Sequence, residues 1–202
     1  MINKKRRVGI FGGTFNPPHI AHVRVAKAFY ECAGLDMLWV IPTNQPPHKK
    51  YSGNVSAQDR FNMCRLAFSD IPGACVSDIE IARGGKSYTV DTLMHLADGD
   101  TELYLLCGTD MFLSLDTWFR ADKIFKLATI CYVRRESDKD IAAAIDAKRK
   151  EYIDVHCAKI IEIPTDVKEI SSTDIRERIV KEDYAEIPVE VVEYIKERKL
   201  YL

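Results

Sequence analysis

The sequence lacks the features that define several large classes of protein. Among its 202 residues, Lys plus Arg number 29 and Asp plus Glu number 30, so the basic excess typical of nucleic-acid-binding proteins is missing. No apolar run approaches the about 18 residues that a membrane-spanning helix needs, and no secretory h-region follows the basic start. We therefore expect neither a nucleic-acid partner nor a membrane, while a local basic pocket for a small anion remains open.

Closely spaced cysteines are also missing. The nearest pair, Cys64 and Cys75, is 11 positions apart, which excludes the CxxC pairs of zinc and redox sites. Most of the six cysteines lie in apolar runs, so we expect reduced, mostly buried thiols in a cytoplasmic protein.

Short apolar strand patterns alternate with amphipathic helical patterns along the whole chain. This alternation predicts βαβ units and an α/β fold: a Rossmann-like, doubly wound, mostly parallel sheet with helices on both faces. We expect one domain over residues 1–202. Within it, we expect residues 74–82 to be extended, and residues 57–68 to form a helix with Asp59, Arg60 and Arg65 on its polar side.

The first strand runs into an unusual turn, Gly12-Gly-Thr-Phe-Asn-Pro-Pro-His-Ile-Ala-His22. Glycines let a ligand approach the backbone, and prolines preset the entry to a helix. His19 and His22 share a face of that helix, whose N-terminus attracts anions. The turn predicts a nucleotide phosphate site; the alternative is a tight turn with a capping histidine.

Three related motifs are excluded by their spacing, their number of ligands or a missing glycine. The turn departs from the dinucleotide fingerprint, and His-x-x-His supplies only two metal ligands. Gly85-Lys86-Ser87 looks like the end of a P-loop, but Glu80 stands where that motif requires glycine.

The turn and several later segments resemble the bacterial nicotinate-nucleotide adenylyltransferases of the nucleotidylyltransferase superfamily. The later segments that carry the resemblance are residues 41–49, 83–93, 108–118, 170–176 and 192–201. The match follows the family's order over nearly the whole chain. Departures are Asn16 and Ala21 in the turn and Glu136-Ser137 after the fifth strand, which leaves the role of Arg134 and Arg135 open.

The resemblance implies adenylyl transfer from ATP to nicotinate mononucleotide, giving deamido-NAD and pyrophosphate in NAD biosynthesis. It implies direct in-line attack with no covalent enzyme intermediate. Mg²⁺ is expected with ATP, held mostly by phosphates and water, with no metal site built from protein residues. Alternatives are transfer to another phosphate monoester such as phosphopantetheine, or a non-catalytic nucleotide-sensing module. A homo-oligomer is left open.

The resemblance also implies roles for individual residues. The implied catalytic residues are His19, His22 and Arg176. The implied ATP-binding residues are Gly12, Gly13, Thr14, Phe15, Gly108, Asp110, Ser172 and Thr173. The implied mononucleotide-binding residues are His48, Lys49, Tyr88, Thr89 and Trp118. The C-terminal helices, about residues 171–202, are expected to complete the ATP site.

Several of these residues have simpler alternative roles. Asp110 would bind a ribose hydroxyl or act as a helix N-cap. Trp118 would stack on the pyridine ring or pack in the core. Ser172 and Arg176 would bind phosphates, or be an ordinary cap and a solvated arginine. Lys49 would approach a phosphate or be a solvated loop lysine.

Overall fold

A single parallel sheet forms the centre of the molecule. The computed structural model describes residues 4–45, 54–134, 140–167 and 170–202. Its six strands are all parallel and lie in the order β3-β2-β1-β4-β5-β6. The strands are β1 (Arg6–Gly13), β2 (Met37–Pro42), β3 (Ala74–Val76), β4 (Thr101–Cys107), β5 (Ala128–Arg134) and β6 (Ile160–Pro164).

Helices connect these strands and close the chain. The α-helices of the described ranges are α1 (Ile20–Cys32), α2 (Ala57–Ala67), α3 (Ile79–Arg83), α4 (Thr89–Leu96), α5 (Thr109–Leu113), α6 (Ala121–Leu127), α7 (Ala142–His156), α8 (Ser172–Ile179) and α9 (Val189–Arg198). A 3₁₀ helix spans Leu115–Thr117. In these ranges, no helix has the length and apolar character needed to cross a membrane.

The helices form a layer on each face of the sheet. Helices α1, α2, α8 and α9 enclose one core, which contains Phe29, Met63 and Ile195. Helices α4 to α7 enclose the other, which contains Leu93 and Tyr152. The predicted doubly wound α/β fold is confirmed.

The strand order reverses between β1 and β4, which pair side by side with Ile10 opposite Leu105. From β1 the chain moves outward to β2 and β3, and from β4 it moves the other way. Loops leaving neighbouring strands on opposite sides of such a point open a crevice at the carboxyl edge. The turn after β1 and the turn after β4 therefore border the same crevice.

The prediction of an extended segment over residues 74–82 is wrong for its second half. Only β3 (Ala74–Val76) is extended, and α3 (Ile79–Arg83) is helical. Tertiary contacts account for the helical turn, because buried Glu80 accepts a hydrogen bond from Thr92 of α4 (2.7 Å). Short apolar alternation could not distinguish the two conformations.

The expectation that most cysteines are buried is also wrong. Cys64, Cys107 and Cys131 are buried, and burial raises the pKa of the Cys107 thiol to about 12. The other three are exposed because they lie at the last residue of α1, on edge strand β3 and just after α7: Cys32, Cys75 and Cys157. All six thiols are free, as expected.

Candidate active site

The turn after β1 is shaped around a buried phenylalanine. Phe15 has a left-handed backbone (φ 49°), is 2% exposed, and packs edge-on against Phe11 and Phe68. A Cβ on Gly13 would lie 2.8 Å from Cζ of Phe15, whereas a Cβ on Gly12 would meet no atom within 4 Å. Gly13 therefore accommodates the packed ring, and Gly12 leaves the backbone open to a ligand. Only the backbone of Phe15 is available for ligand contact.

His19 and His22 are brought together by the first turn of α1. Their rings stack with centroids 3.6 Å apart, and His22 Nδ1 accepts a hydrogen bond from the backbone N–H of His19 (3.2 Å). Since Nδ1 is the acceptor, the proton of a neutral His22 ring is on Nε2. His19 is 3% exposed and His22 is half-buried. His22 is thus the more accessible donor, while His19 supports it.

The N-terminus of α1 is only partly available to an anion. The backbone N–H of Ile20, the first residue of α1, donates to the carbonyl of Glu186 (2.8 Å). The sequence pattern suggested a helix end with unpaired N–H groups, but the loop before α9 uses one of them.

Helix α8 lies directly against the turn. Arg176 Nη1 donates to the carbonyl of Asn16 (2.9 Å), and its Nη2 donates to Thr173 Oγ1 (3.0 Å). The Ser172 hydroxyl donates to the carbonyl of Pro17 (3.4 Å), and Ser171 is the residue that caps α8. Arg176 is therefore half-buried against the turn rather than a solvated arginine, and Ser172 is not the N-cap.

The turn after β4 places Asp110 at the same edge of the sheet. Gly108 is the N-cap of α5 and Asp110 is exposed in its first turn, so the N-cap role considered for Asp110 is wrong. Thr109 anchors this turn by donating from its buried hydroxyl to the carbonyl of Val133 (2.9 Å). Asp110 is left facing solvent beside the crevice.

Two further loops are joined by hydrogen bonds on the β2 side of the crevice. Ser87 Oγ accepts from the backbone N–H of Asn44 (3.0 Å), and the Ser87 N–H donates to the carbonyl of Gln45 (2.9 Å). The Asn44 side chain donates to the carbonyl of Gly85 (3.0 Å). The Gly85–Ser87 segment therefore supports a neighbouring loop.

Aromatic side chains gather next to these loops. Tyr88, the N-cap of α4, contacts Phe119 with ring centroids 4.9 Å apart, and the Arg120 guanidinium lies 5.1 Å from the Phe119 ring centroid. Trp118 is half-buried and packs against the core, so its core-packing role is right in part. Thr89 begins α4 beside Tyr88.

Comparison with known proteins identifies the family. Residues 10–178 match the cytidylyltransferase-like family. A protein of Clostridium botulinum named "Probable nicotinate-nucleotide adenylyltransferase" is 36% identical, with 97% of this chain and 98% of that protein covered. A protein of Shouchella clausii with the same name is 36% identical, with 97% of each covered. The chain belongs to the nicotinate-nucleotide adenylyltransferase family.

Solved structures share the fold. The nicotinic acid mononucleotide adenylyltransferase of Plasmodium falciparum, complexed with NaAD, has a TM-score of 0.78 at 19% identity, with 97% of both chains covered. The same enzyme complexed with APC has a TM-score of 0.76 at 18% identity, with 97% of both chains covered. The cytidylyltransferase-like α/β fold of this chain is thus shared beyond its bacterial relatives.

Sequence reasoning missed that Arg60 is buried and bonds the turn after β1. The prediction that Arg60 lies on the polar side of α2 is wrong, because its side chain is 2% exposed and donates to the carbonyl of Thr14 (2.8 Å). A signal was present, since Arg60, Met63, Cys64 and Ala67 follow the spacing of a buried helical stripe. An arginine in that stripe indicates a buried charge with polar partners. Asp59 is buried as well, while Arg65 is exposed as predicted.

Tyr201 was also missed, although it lies in a segment that carries the family resemblance. Its hydroxyl donates to Asn16 Oδ1 (2.7 Å), and its backbone N–H donates to Asn54 Oδ1 (3.2 Å). Burial raises the pKa of the Tyr201 hydroxyl, which therefore stays protonated as a donor. No local pattern near the chain's end indicates this contact.

Two predicted substrate contacts cannot be placed. His48 and Lys49 lie outside the described residues, as does Arg135. Arg134 lies within 3.7 Å of the carboxylates of Asp146 and Glu162.

Proposed function

We propose that this protein transfers the adenylyl group of ATP to nicotinate mononucleotide, giving deamido-NAD and pyrophosphate in NAD biosynthesis. The observation that carries the proposal is the packing of α8 on the turn after β1, where Arg176 bonds Asn16 and His22 packs against Phe15. Both side-chain donors thus border the crevice at the strand-order reversal, and family membership supports the substrate pair. Residues 1–202 would act as one domain in which residues 171–202 complete the ATP site.

The proposed chemistry is a direct displacement at phosphorus. The phosphate of nicotinate mononucleotide is anionic at neutral pH, so it can attack the α-phosphorus of ATP without a strong general base. The bond from the α-phosphorus to the bridging oxygen breaks as the new bond forms, and pyrophosphate leaves. Catalysis of such a step is mostly positioning and electrostatic stabilisation.

The residues around the turn suit that task. We propose that His22 donates from Nε2 to an α-phosphate oxygen, held in orientation by the stacked ring of His19. Direct contact between His19 and the triphosphate stays a prediction. The Arg176 guanidinium carries five N–H donors. Those that bond neither the turn nor α8 would donate to the departing pyrophosphate.

The remaining ATP contacts would come from both sides of the crevice. The backbone of residues 12–15 would approach the nucleotide where Gly12 leaves space. Ser172 and Thr173 would bind the β and γ phosphates from the start of α8. Asp110, together with the Gly108 turn, would take a ribose hydroxyl.

The aromatic side of the crevice would bind the mononucleotide. Trp118 would stack on the pyridine ring through its exposed part. Tyr88 and Thr89, at the start of α4, would bind the nicotinate carboxylate, where backbone N–H groups of the first helical turn can serve as donors. His48 and Lys49 would approach the substrate phosphate.

Mg²⁺ is proposed to enter with ATP. Among the residues that the structure describes, no three His, Cys, Asp or Glu side chains converge as a metal site would require. We propose that the ion is carried by phosphate oxygens and water, as is usual for Mg²⁺ with nucleotides. When bound, the ion would offset part of the phosphate charge.

The test is pyrophosphate release from ATP, measured with nicotinate mononucleotide, nicotinamide mononucleotide and phosphopantetheine as separate acceptors. We expect the highest kcat/KM with nicotinate mononucleotide. Faster turnover of phosphopantetheine would reassign the acceptor. ATP binding without turnover of any acceptor would contradict the proposal and favour a nucleotide sensor.

A further inference from the structure

Arg60 places a positive charge in the interior of the protein. It lies in the first turn of α2, and its side chain is 2% exposed. A buried guanidinium is costly unless its N–H donors are met by good acceptors. Nη1 donates to the carbonyl of Thr14 (2.8 Å), and Nη2 donates to the carbonyls of Thr43 (2.6 Å) and Asn44 (3.2 Å).

These carbonyls belong to two different loops at the carboxyl edge of the sheet. Thr14 lies in the turn that carries the proposed ATP contacts. Thr43 and Asn44 follow β2, and the N–H of Asn44 bonds Ser87, which precedes the proposed mononucleotide contacts Tyr88 and Thr89. Each terminal nitrogen of Arg60 therefore serves a different loop, and the planar guanidinium sets the spacing between them.

Further hydrogen bonds extend this link to the aromatic side of the crevice. The backbone N–H of Asn44 donates to Ser87 Oγ, and Ser87 precedes Tyr88, the N-cap of α4. The backbone N–H of Thr43 donates to the carbonyl of Gly13 (2.9 Å), so the two loops also touch directly. A continuous set of contacts thus runs from the turn after β1 through Arg60 to Tyr88.

Helix α2, which carries Arg60, is itself firmly held. Ser56 caps it reciprocally with Asp59, and the Tyr194 hydroxyl of α9 donates to Asp59 Oδ1 (3.0 Å). A side chain on a rigid element positions its partners more precisely than one on a loop. Arg60 can therefore act as a fixed reference point for both loops.

We propose that Arg60 is a positioning residue that holds the turn after β1 (residues 12–17) and the segment after β2 (residues 43–45) at the separation needed for in-line attack. It acts through backbone carbonyls and touches no substrate. The inference rests on the proposed function, because it assigns the two loops to the two substrates. Since a displacement of about 1 Å between reacting groups can cost about 100-fold in rate, even a small change in loop spacing would be visible in kcat.

The decisive variant is Arg60→Lys. Lysine keeps the charge, but its three N–H donors radiate from a single nitrogen, so it cannot reproduce the fixed spacing of the two guanidinium nitrogens that bond the two loops. We expect a folded protein whose kcat falls at least about tenfold and whose KM rises for both ATP and nicotinate mononucleotide. Arg65→Lys, an exposed position on the same helix, is the matched control and should leave all three constants unchanged.

Amide hydrogen exchange of the substrate-free protein tests the same inference without turnover. In Arg60→Lys we expect faster exchange in peptides covering residues 12–17 and 40–45, and unchanged exchange in β5. Arg60→Met removes all donors, so a folded Arg60→Met should exchange still faster in both segments. If Arg60→Met does not fold, the comparison of Arg60→Lys with wild type decides.

The outcomes separate the inference from the proposed function. A wild-type protein with no turnover would defeat the function, while hydrogen exchange would still report on Arg60. Unchanged kcat and KM in folded Arg60→Lys, with or without a lower melting temperature, would reduce Arg60 to a structural residue and overturn the inference. Unchanged exchange in both loops would overturn it as well.

Discussion

The two sides of the crevice are held in place by different means. On the side of the turn after β1, side chains from distant parts of the chain grip a short stretch of backbone: Arg60 holds Thr14, while Arg176 and Tyr201 hold Asn16. On the aromatic side, neighbouring loops bond one another, and Phe119 remains 51% exposed.

This difference indicates that one side stabilises the transition state and the other supplies contact area for the acceptor. A backbone turn fixed from several directions is preorganised, and preorganised donors stabilise a transition state without reorganising during the reaction. Exposed aromatic faces supply contact area that is completed only when a flat ring binds. We therefore expect changes on the side of the turn after β1, the ATP side, to act on kcat and on the KM for ATP. Changes on the aromatic side should act mainly on the KM of the acceptor.

The largest expected effect is that of His22→Ala on the ATP side. Loss of a donor to the transition state should lower kcat by about 100- to 1,000-fold while the fold is kept. Steady-state kinetics and a thermal melt measure the two effects. His95→Ala, an exposed histidine of α4, is the control and should retain full activity. Equal activity of His22→Ala and wild type would remove His22 from the catalytic residues.

Trp118→Ala should produce the largest effect on the aromatic side. Loss of a stacking surface is worth about 1–3 kcal/mol, so the KM for nicotinate mononucleotide should rise by roughly 5- to 100-fold while that for ATP stays constant. Trp118→Phe should recover most of the loss. Phe119→Ala is the neighbouring comparison, and a larger effect there would move the stacking role to Phe119.

Asp59→Asn should destabilise α2, the helix that carries Arg60. Burial raises the pKa of the Asp59 carboxyl, but hydrogen bonds from Ser56 and Tyr194, with the charge of Arg198, outweigh it and leave the pKa below its usual value. The ionised carboxylate therefore stabilises the fold above about pH 4, and this contribution is lost as pH falls through the depressed pKa. At pH 7 the substitution should cost about 1–3 kcal/mol in free energy of unfolding.

Urea unfolding at pH 7 and at acidic pH measures this difference. The gap between wild type and Asp59→Asn should shrink as the pH falls toward and below the depressed pKa. Asp70→Asn, at an exposed position just after α2, is the control and should show no gap at pH 7. A gap that stays constant with pH would show that the charge of Asp59 does not contribute.

Tyr201→Phe should give the smallest effect and the sharpest contrast between the two sides. It removes only the hydroxyl that donates to Asn16, a bond worth about 0.5–1.5 kcal/mol. We expect the KM for ATP to rise by about 2- to 10-fold and the KM for nicotinate mononucleotide to stay unchanged. Tyr184→Phe, on the loop before α9, serves as control. Equal shifts in both KM values would argue against separate roles for the two sides.

The predictable parts of the molecule are those encoded by short-range patterns. Helix α1 begins at Ile20 and ends at Cys32, as its apolar spacing indicates. The i, i+3 spacing brings His22 beside His19, but His19 is the N-cap of α1 and lies outside the helix, so the capping alternative is also present. The segment after β3 was less predictable because Glu80 and Thr92 bond across two helices. Cysteine exposure was misjudged because helix ends and an edge strand leave residues of apolar runs open to solvent.

The sequence by itself determined the alternation of strands and helices and the Gly12–His22 turn, because periodicity and turn chemistry act over a few residues. Only the tertiary structure decided which side chains hold that turn. The contact of Arg60 with Thr14 joins positions 46 residues apart, and that of Tyr201 with Asn16 joins positions 185 apart. Such contacts arise when helices from both ends of the chain pack on one face of the sheet, which brings buried polar groups together to satisfy their hydrogen bonds.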